Sequence, residues 1–295
     1  MSANATEEMP VRPIRRMQVP WKPAPALQAS AWLHLLGLGA VAALPQSWPA
    51  WLGVLLANHA ALAGVGLWPR SQGLGPNLTR LPPQAAARGG VALTFDDGPH
   101  PEVTPRVLDL LDEARMRATF FCVGERVRRH AALAREMTRR GHVIENHTET
   151  HPHAFSVYGW RRMSRQVAQA QASIGSVTGR APQFFRAVAG LRNPLLDPIL
   201  HRQGLLLASW TRRGYDTRCA DAGVVTARLT HGLAAGDVLL LHDGNSALAP
   251  DGRPVVLAVL PRLLQALRGQ RLRSVPLNEA FKGGEAVCPL DKVAA

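Results

Sequence analysis

At 295 residues and 46% hydrophobic composition, the chain can fill one large core and carry an appendage, which excludes a disordered polypeptide. Its 34 Lys and Arg against 21 Asp and Glu give a formal net charge of +13, which favours anionic surfaces. No zinc-finger, RNP or basic-helix pattern accompanies the arginines, so membrane lipid is expected as partner and no specific nucleic acid, a solvated basic face being the alternative.

The first organised stretch is apolar. Residues 23–69 contain no Asp, Glu, Lys or Arg, and they divide at "PQSWP" (45–49) into two spans of bilayer length. Trp48, Trp51 and Trp68 stand near the ends, as interfacial aromatics do. A membrane hairpin is expected, with a pair of buried helices as the alternative; a signal peptide fits poorly because the apolar run starts late and is too long. Arg12, Arg15, Arg16 and Lys22 precede the first span, and Arg70, Arg80 and Arg88 follow the second, which places both ends on the cytoplasmic side of a bacterial inner membrane. His34, Asn58 and His59 lie inside the spans, where hydrogen bonding between the two helices is their expected role.

After a Pro- and Gly-rich connector the pattern alternates short apolar runs with amphipathic stretches. Strands are expected at "VALTF" (91), "ATFFCV" (118), "HVIEN" (142), "QFFRA" (183), "LLLASW" (205), "DVLLLH" (237) and "LRSVPL" (272). Between them, "TPRVLDLLDEARM" has Thr104 as a candidate N-cap with Pro105 behind it, "GERVRRHAALAREMTRRG" stops on Gly141, and "PVVLAVLPRLLQALRG" stops on Gly269. Strand and helix in alternation call for a parallel sheet or barrel with reactive groups at the carboxyl ends of the strands. Cys122, Cys219 and Cys288 are widely spaced and odd in number, which speaks against a disulfide framework and for a reducing compartment, one bridge with one free thiol being the alternative.

The strand ends carry the ionisable residues. Asp96 and Asp97 close the first, His147 and His151 follow the third, Arg186 lies in the fourth, Trp210 and Asp216 follow the fifth, and His242 ends the sixth. Neighbouring side chains on a regular strand point to opposite faces, so Asp96 and Asp97 can meet at one site only where the backbone leaves the strand, as Gly98 and Pro99 permit. Two imidazoles four residues apart with one carboxylate suit Zn²⁺ or another divalent ion and leave coordination positions open for water and substrate.

In this order "TFDDGP", "HTETHP", "FFRAVAG", "SWTRRGYDT" and "LLLHDG" resemble the five motifs of the polysaccharide deacetylases, the family-four carbohydrate esterases that share the NodB-homology domain. The resemblance covers residues 89–281. It implies a distorted (β/α) barrel of about seven strands and metal-dependent hydrolysis of an N-acetyl or N-formyl amino sugar. By motif position it implies Asp97, His147 and His151 as metal ligands, Asp96 as general base and His242 as general acid. Arg186 then orients Asp96, Asp216 partners His242, and Ala189 offers a backbone N–H to the oxyanion. Trp210, with Leu240, is a candidate wall of the acyl pocket, a core tryptophan being the alternative.

Three positions depart from the family pattern: Val188 stands where Pro is usual, Ala189 where an aromatic is frequent, and Thr217 where Trp usually follows the acid of the fourth motif. The departures bear on the sugar-binding walls and leave the metal chemistry intact. The expected organisation is a basic tail (1–23), a two-span membrane hairpin (24–69), a linker (70–88), the barrel (89–285) and a C-terminal tail (286–295). The expected substrate is a membrane-associated or lipid-linked amino sugar; a periplasmic enzyme acting on polymer and a catalytically silent sugar-binding or assembly module are the alternatives.

Overall fold

The computed structural model describes residues 20–282. The basic tail up to residue 19, with Arg12, Arg15 and Arg16, lies outside the described residues, as do Cys288 and the chain from residue 283 onward.

Two apolar helices come first, α1 (Pro25–Ala43) and α2 (Trp48–Leu67), each long and apolar enough to cross a membrane and almost wholly exposed. They pack antiparallel. Asn58 donates to the Ser30 hydroxyl at 2.8 Å, the His34 and His59 Nε2 atoms lie 3.3 Å apart, and Gly37 gives way to the Trp51 ring. The polar residues of the two apolar helices therefore meet across the helix pair.

After them come α3 (Pro83–Ala87) and β1 (Gly90–Asp96), followed by α4 (Val103–Glu113), β2 (Thr119–Cys122), α5 (Gly124–Arg129), α6 (Ala131–Arg139) and β3 (Val143–Asn146). Next are α7 (Trp160–Thr178), β4 (Phe184–Phe185), α8 (Leu196–Arg202), β5 (Leu206–Leu207), β6 (Arg212–Arg213) and α9 (Ala222–Thr230). Last among the described residues are β7 (Val238–His242), α10 (Val256–Gly269), β8 (Arg273–Ser274) and α11 (Leu277–Ala280). The seven expected strands are all present, and β6 is an eighth, too short to show a period.

All the strand pairs are parallel, in the order β5-β4-β3-β2-β1-β7-β6, with β8 on the start of β1. This is a curled half-barrel, since β5 and β6 do not pair. The gap is strapped by the segment read as linker: Leu78 exchanges backbone hydrogen bonds with Leu207 and Ser209, and Leu81 donates to the Gly236 carbonyl. Arg80 adds an ion pair to buried Asp237 at 3.0 Å.

Alternation along β1 explains the core. Val91, Leu93 and Phe95 pack outward against Val107, Leu108 and Leu111 of α4 and against the apolar stripe of α10, whereas Ala92 joins Phe121, Phe184, Trp210 and Leu240 inside the curl. Two helix expectations change. Thr104 is not an N-cap: α4 starts at Val103, and the Thr104 hydroxyl is drawn instead to the buried Asp243 carboxylate. The stretch from residue 124 to 141 is two helices, because His130 leaves helical geometry between α5 and α6.

Candidate active site

Asp96 is the last residue of β1 and shares the inward face with Thr94. Asp97 takes φ +73°, so the chain rotates out of the strand and turns the second carboxylate to the same side. The turn is pinned by Arg126, whose guanidinium donates to the carbonyls of Asp97 and Gly244 at 2.6 and 3.1 Å. Gly98 is required there, since a Cβ would fall 2.3 Å from the Asp243 carboxylate. The two acids thus converge by a forced exit from the strand.

His147 follows β3 directly, and its Nδ1–H donates to the Arg186 carbonyl at 2.8 Å, which leaves Nε2 as the free lone pair. His151 reaches the same point through a tight loop in place of a helical turn. Asn146 accepts from the Thr148 N–H, Thr148 accepts from the His151 N–H, and His151 takes φ +51°. Glu149, inside the same motif, turns away to Arg128 and Ser173.

The ligand atoms of Asp97, His147 and His151 all lie within 4.8 Å of one another. Asp97 Oδ1 is 3.2 Å from His147 Nε2 and 3.0 Å from His151 Nε2, yet it is buried and receives no aligned hydrogen bond. Three donor atoms that face a common point without satisfying one another fit a divalent cation, and one carboxylate with two imidazoles is a donor set for such an ion. Burial opposes charge on Asp97, but the two neighbouring imidazoles, in their protonated form, hold its carboxyl well below the usual range.

Arg186 lies wholly inside the curl. Its guanidinium donates to Asp96 Oδ1 at 2.6 Å, to the Thr94 hydroxyl at 2.8 Å and to the carbonyls of Ala208 and Ser209 at 3.1 and 2.9 Å, and it stacks 4.0 Å from the centre of the Phe121 ring. One Asp96 oxygen is thereby fixed, and the other is 3.9 Å from His147 Nε2, beside the candidate metal position.

Opposite stands His242 at the end of β7. Asp216 accepts from its Nδ1–H at 2.8 Å and from its backbone N–H at 2.7 Å, which aims Nε2 into the site. Burial disfavours the imidazolium, but the Asp216 carboxylate outweighs it, with help from Asp96 and Asp97, and the pKa is pushed up to about 9. Ala189 sits exposed in a short turn at φ +53°, and the bonds that shape the turn, Gly190 to Ala187 and Leu191 to Val188, leave its N–H without an acceptor among the described residues. The Trp210 ring lies against Gly190 of this turn and is buried in one cluster with Leu240.

The family pattern described as polysaccharide deacetylase matches residues 84–208. The chitooligosaccharide deacetylase of Sinorhizobium fredii is 34% identical over 209 residues, 68% of this chain and 97% of the relative. The chain belongs to the polysaccharide deacetylase family. A Bacillus cereus peptidoglycan-N-acetylglucosamine deacetylase is 30% identical over 194 residues, 65% of this chain and 88% of its own. Among solved structures, a peptidoglycan N-acetylglucosamine deacetylase superposes with TM-score 0.62 at 26% identity, covering 71% of this chain and 94% of that one. The family 4 carbohydrate esterase of Streptomyces lividans, in complex with acetate, gives TM-score 0.57 at 31% identity over 63% of this chain and 91% of its own.

Several site residues of this deacetylase-family chain had no sequence signal of their own. Thr94 shares Arg186 with Asp96, Arg126 clamps the Asp97 turn, and Thr104 with Asp243 braces it from behind. Asp243 follows His242 in "LLLHDG", so its position next to a motif residue was the one available clue.

Proposed function

We propose that this chain is a metal-dependent hydrolase that removes an N-acetyl or N-formyl group from an amino sugar carried on a membrane-associated glycan or lipid-linked intermediate. The carrying observation is the closure of one site by three groups gathered at the ends of several strands: the Asp97, His147 and His151 donor set, the Arg186-bound Asp96, and the Asp216-bound His242. The activities of the relatives, on chitooligosaccharide and on peptidoglycan N-acetylglucosamine, support the same bond as target.

Asp97, His147 and His151 would hold the ion, with zinc favoured by the donor set; when bound it supplies Lewis-acid polarisation of the amide carbonyl and acidifies a water. The residues of the chain do the rest. Asp96, whose Oδ1 is held by Arg186, presents Oδ2 on the ion side and accepts the proton of the attacking water. The Ala189 N–H meets the oxygen on which negative charge builds. His242, protonated through its contact with Asp216, gives its Nε2 proton to the departing amine. Trp210 and Leu240 close the apolar side, where an acyl methyl or hydrogen would sit. This full complement argues against a silent binding module.

The apolar hairpin supports attachment to an inner membrane, and the basic residues flanking it support a cytoplasmic position for the barrel. Full-length protein in detergent, supplied with Zn²⁺ and N-acetylated chitotetraose, is expected to release acetate, and Asp96→Asn is expected not to. Equal release by both proteins would remove Asp96 from its role. A reporter fused after Ala87 is expected to be active only in the cytoplasm.

A further inference from the structure

The hairpin is joined to the barrel by fixed contacts beside the active site. The Arg192 N–H donates to the Gly66 carbonyl near the end of α2, and a Cβ on Gly66 would sit 2.2 Å from the Arg192 carbonyl oxygen. The Ser209 hydroxyl and the Asn77 amide both donate to the Pro69 carbonyl, at 2.7 and 3.0 Å. Gly190 lies under Pro69 and the Trp210 ring, with φ +75° and no space for a side chain. The helix therefore leaves the domain right at the Ala189 turn.

Two adjoining cavities open along this junction. The larger, about 810 Å³, has Ala61, Gly64 and Val65 of α2 on one wall and Arg70, Arg80 and Thr211 on the other. The smaller, about 270 Å³, shares Trp68, Arg70 and Thr211 with it and adds Arg213, Trp210 and Tyr215. No Asp or Glu lines either one among the described residues.

Arg80 is engaged with Asp237, but the other two guanidinium groups have no carboxylate among the described residues. Arg70 donates to the Thr211 carbonyl at 3.2 Å. Arg213 lies over the Trp210 and Tyr215 rings, 5.2 and 4.9 Å from their centroids, and its Nε is buried without an acceptor. Arg70 is exposed and Arg213 half-buried, so both guanidinium forks are open at the groove, beside an apolar wall, in a form that matches phosphate. The groove also leads to the chemistry. Trp210 is 6.0 Å from the guanidinium of Arg186, which holds Asp96, and Tyr215 precedes Asp216, which holds His242.

We infer that this groove seats the phosphate of the lipid that carries the amino sugar, with Arg70 and Arg213 on the phosphate, the hydrocarbon chain along Ala61, Gly64 and Val65, and the sugar directed past Trp210. The inference rests on the deacetylase reading above and names its carrier. A free nucleotide or a bare glycan would leave the small-residue wall of α2 without an occupant, whereas a lipid phosphate uses both walls.

Two measurements on the full-length chain in dodecylmaltoside test it. Titration with undecaprenyl phosphate, followed by tryptophan fluorescence, is expected to saturate, and Arg70→Gln and Arg213→Gln are expected to weaken Kd at least tenfold. No saturable change, or equal affinity in both variants, overturns the site. In turnover, each variant is expected to lose at least tenfold in kcat/KM, through KM, on polyprenyl-phosphate-linked N-acetylglucosamine, while chitotetraose changes less than twofold. Equal losses on both substrates reduce the arginines to a structural role, and a loss confined to UDP-N-acetylglucosamine assigns the groove to a soluble nucleotide; either overturns the lipid assignment. Retained binding with no turnover of any acyl sugar instead sinks the deacetylase reading and leaves the phosphate site standing.

Discussion

Arg186 Nη1 lies 2.6 Å from Asp96 Oδ1, and both side chains are closed off from solvent. The pair links the barrel interior to the chemistry, because the same guanidinium also holds Thr94 and two carbonyls after β5. Removing it leaves a buried carboxylate and three acceptors without a donor. Arg186→Leu is expected to cost about 3–5 kcal/mol in denaturant unfolding. Arg186→Lys is expected to fold better yet remain slow, since one ammonium cannot span four acceptors in two directions.

Asp96→Asn keeps the shape and a hydrogen bond to Arg186 but removes the proton acceptor. A fall in kcat of about 10²–10⁴ is expected, with metal content unchanged. A kcat within a few fold of wild type would transfer the base role to another group.

His242 gives the pH dependence. Its folded pKa, about 9, lies above the ordinary imidazole value, so its charged form and the stability it adds are fully present below about pH 6.5 and are lost as pH rises through 9. The alkaline limb of catalysis follows the same sign, with rate falling as the proton leaves. In Asp216→Asn burial is no longer outweighed, and the alkaline limb is expected to move down by more than about one pH unit. Profiles of kcat against pH for the two proteins check this.

Asp243 behaves in the opposite way for a carboxyl group. Burial pushes its pKa up to about 7 even though Thr104 donates to it. Stability from its neutral form is present below about pH 4 and is lost as pH rises through 7. Asp243→Asn is expected to raise stability relative to wild type more at pH 8 than at pH 5 in urea titrations, by roughly 1–3 kcal/mol.

The sequence carried the strands and the motif residues because the signals were local: continuous apolar runs for strands buried on both faces, and polar residues at their ends. Asp96, Asp97, His147, His151, Arg186, Asp216 and His242 all stand at one end of the half-barrel. What stayed hidden depends on distant partners. Thr104 reads as a helix cap from its neighbours alone, but Asp243, far along the chain, claims its hydroxyl. The strap at residues 78–81 reads as linker because its few backbone bonds go to β5 and to the Gly236 turn rather than to an adjacent hairpin. Arg126 reads as one more arginine on an amphipathic helix until the Asp97 turn meets it.

The central claim is the cation position between Asp97, His147 and His151. Its most direct test is metal content per chain after dialysis against Zn²⁺, measured on wild type, Asp97→Ala and His147→Ala, each with its fold checked by circular dichroism. One equivalent in wild type and little or none in the two variants is the expected result; full occupancy in a folded Asp97→Ala chain would contradict the account.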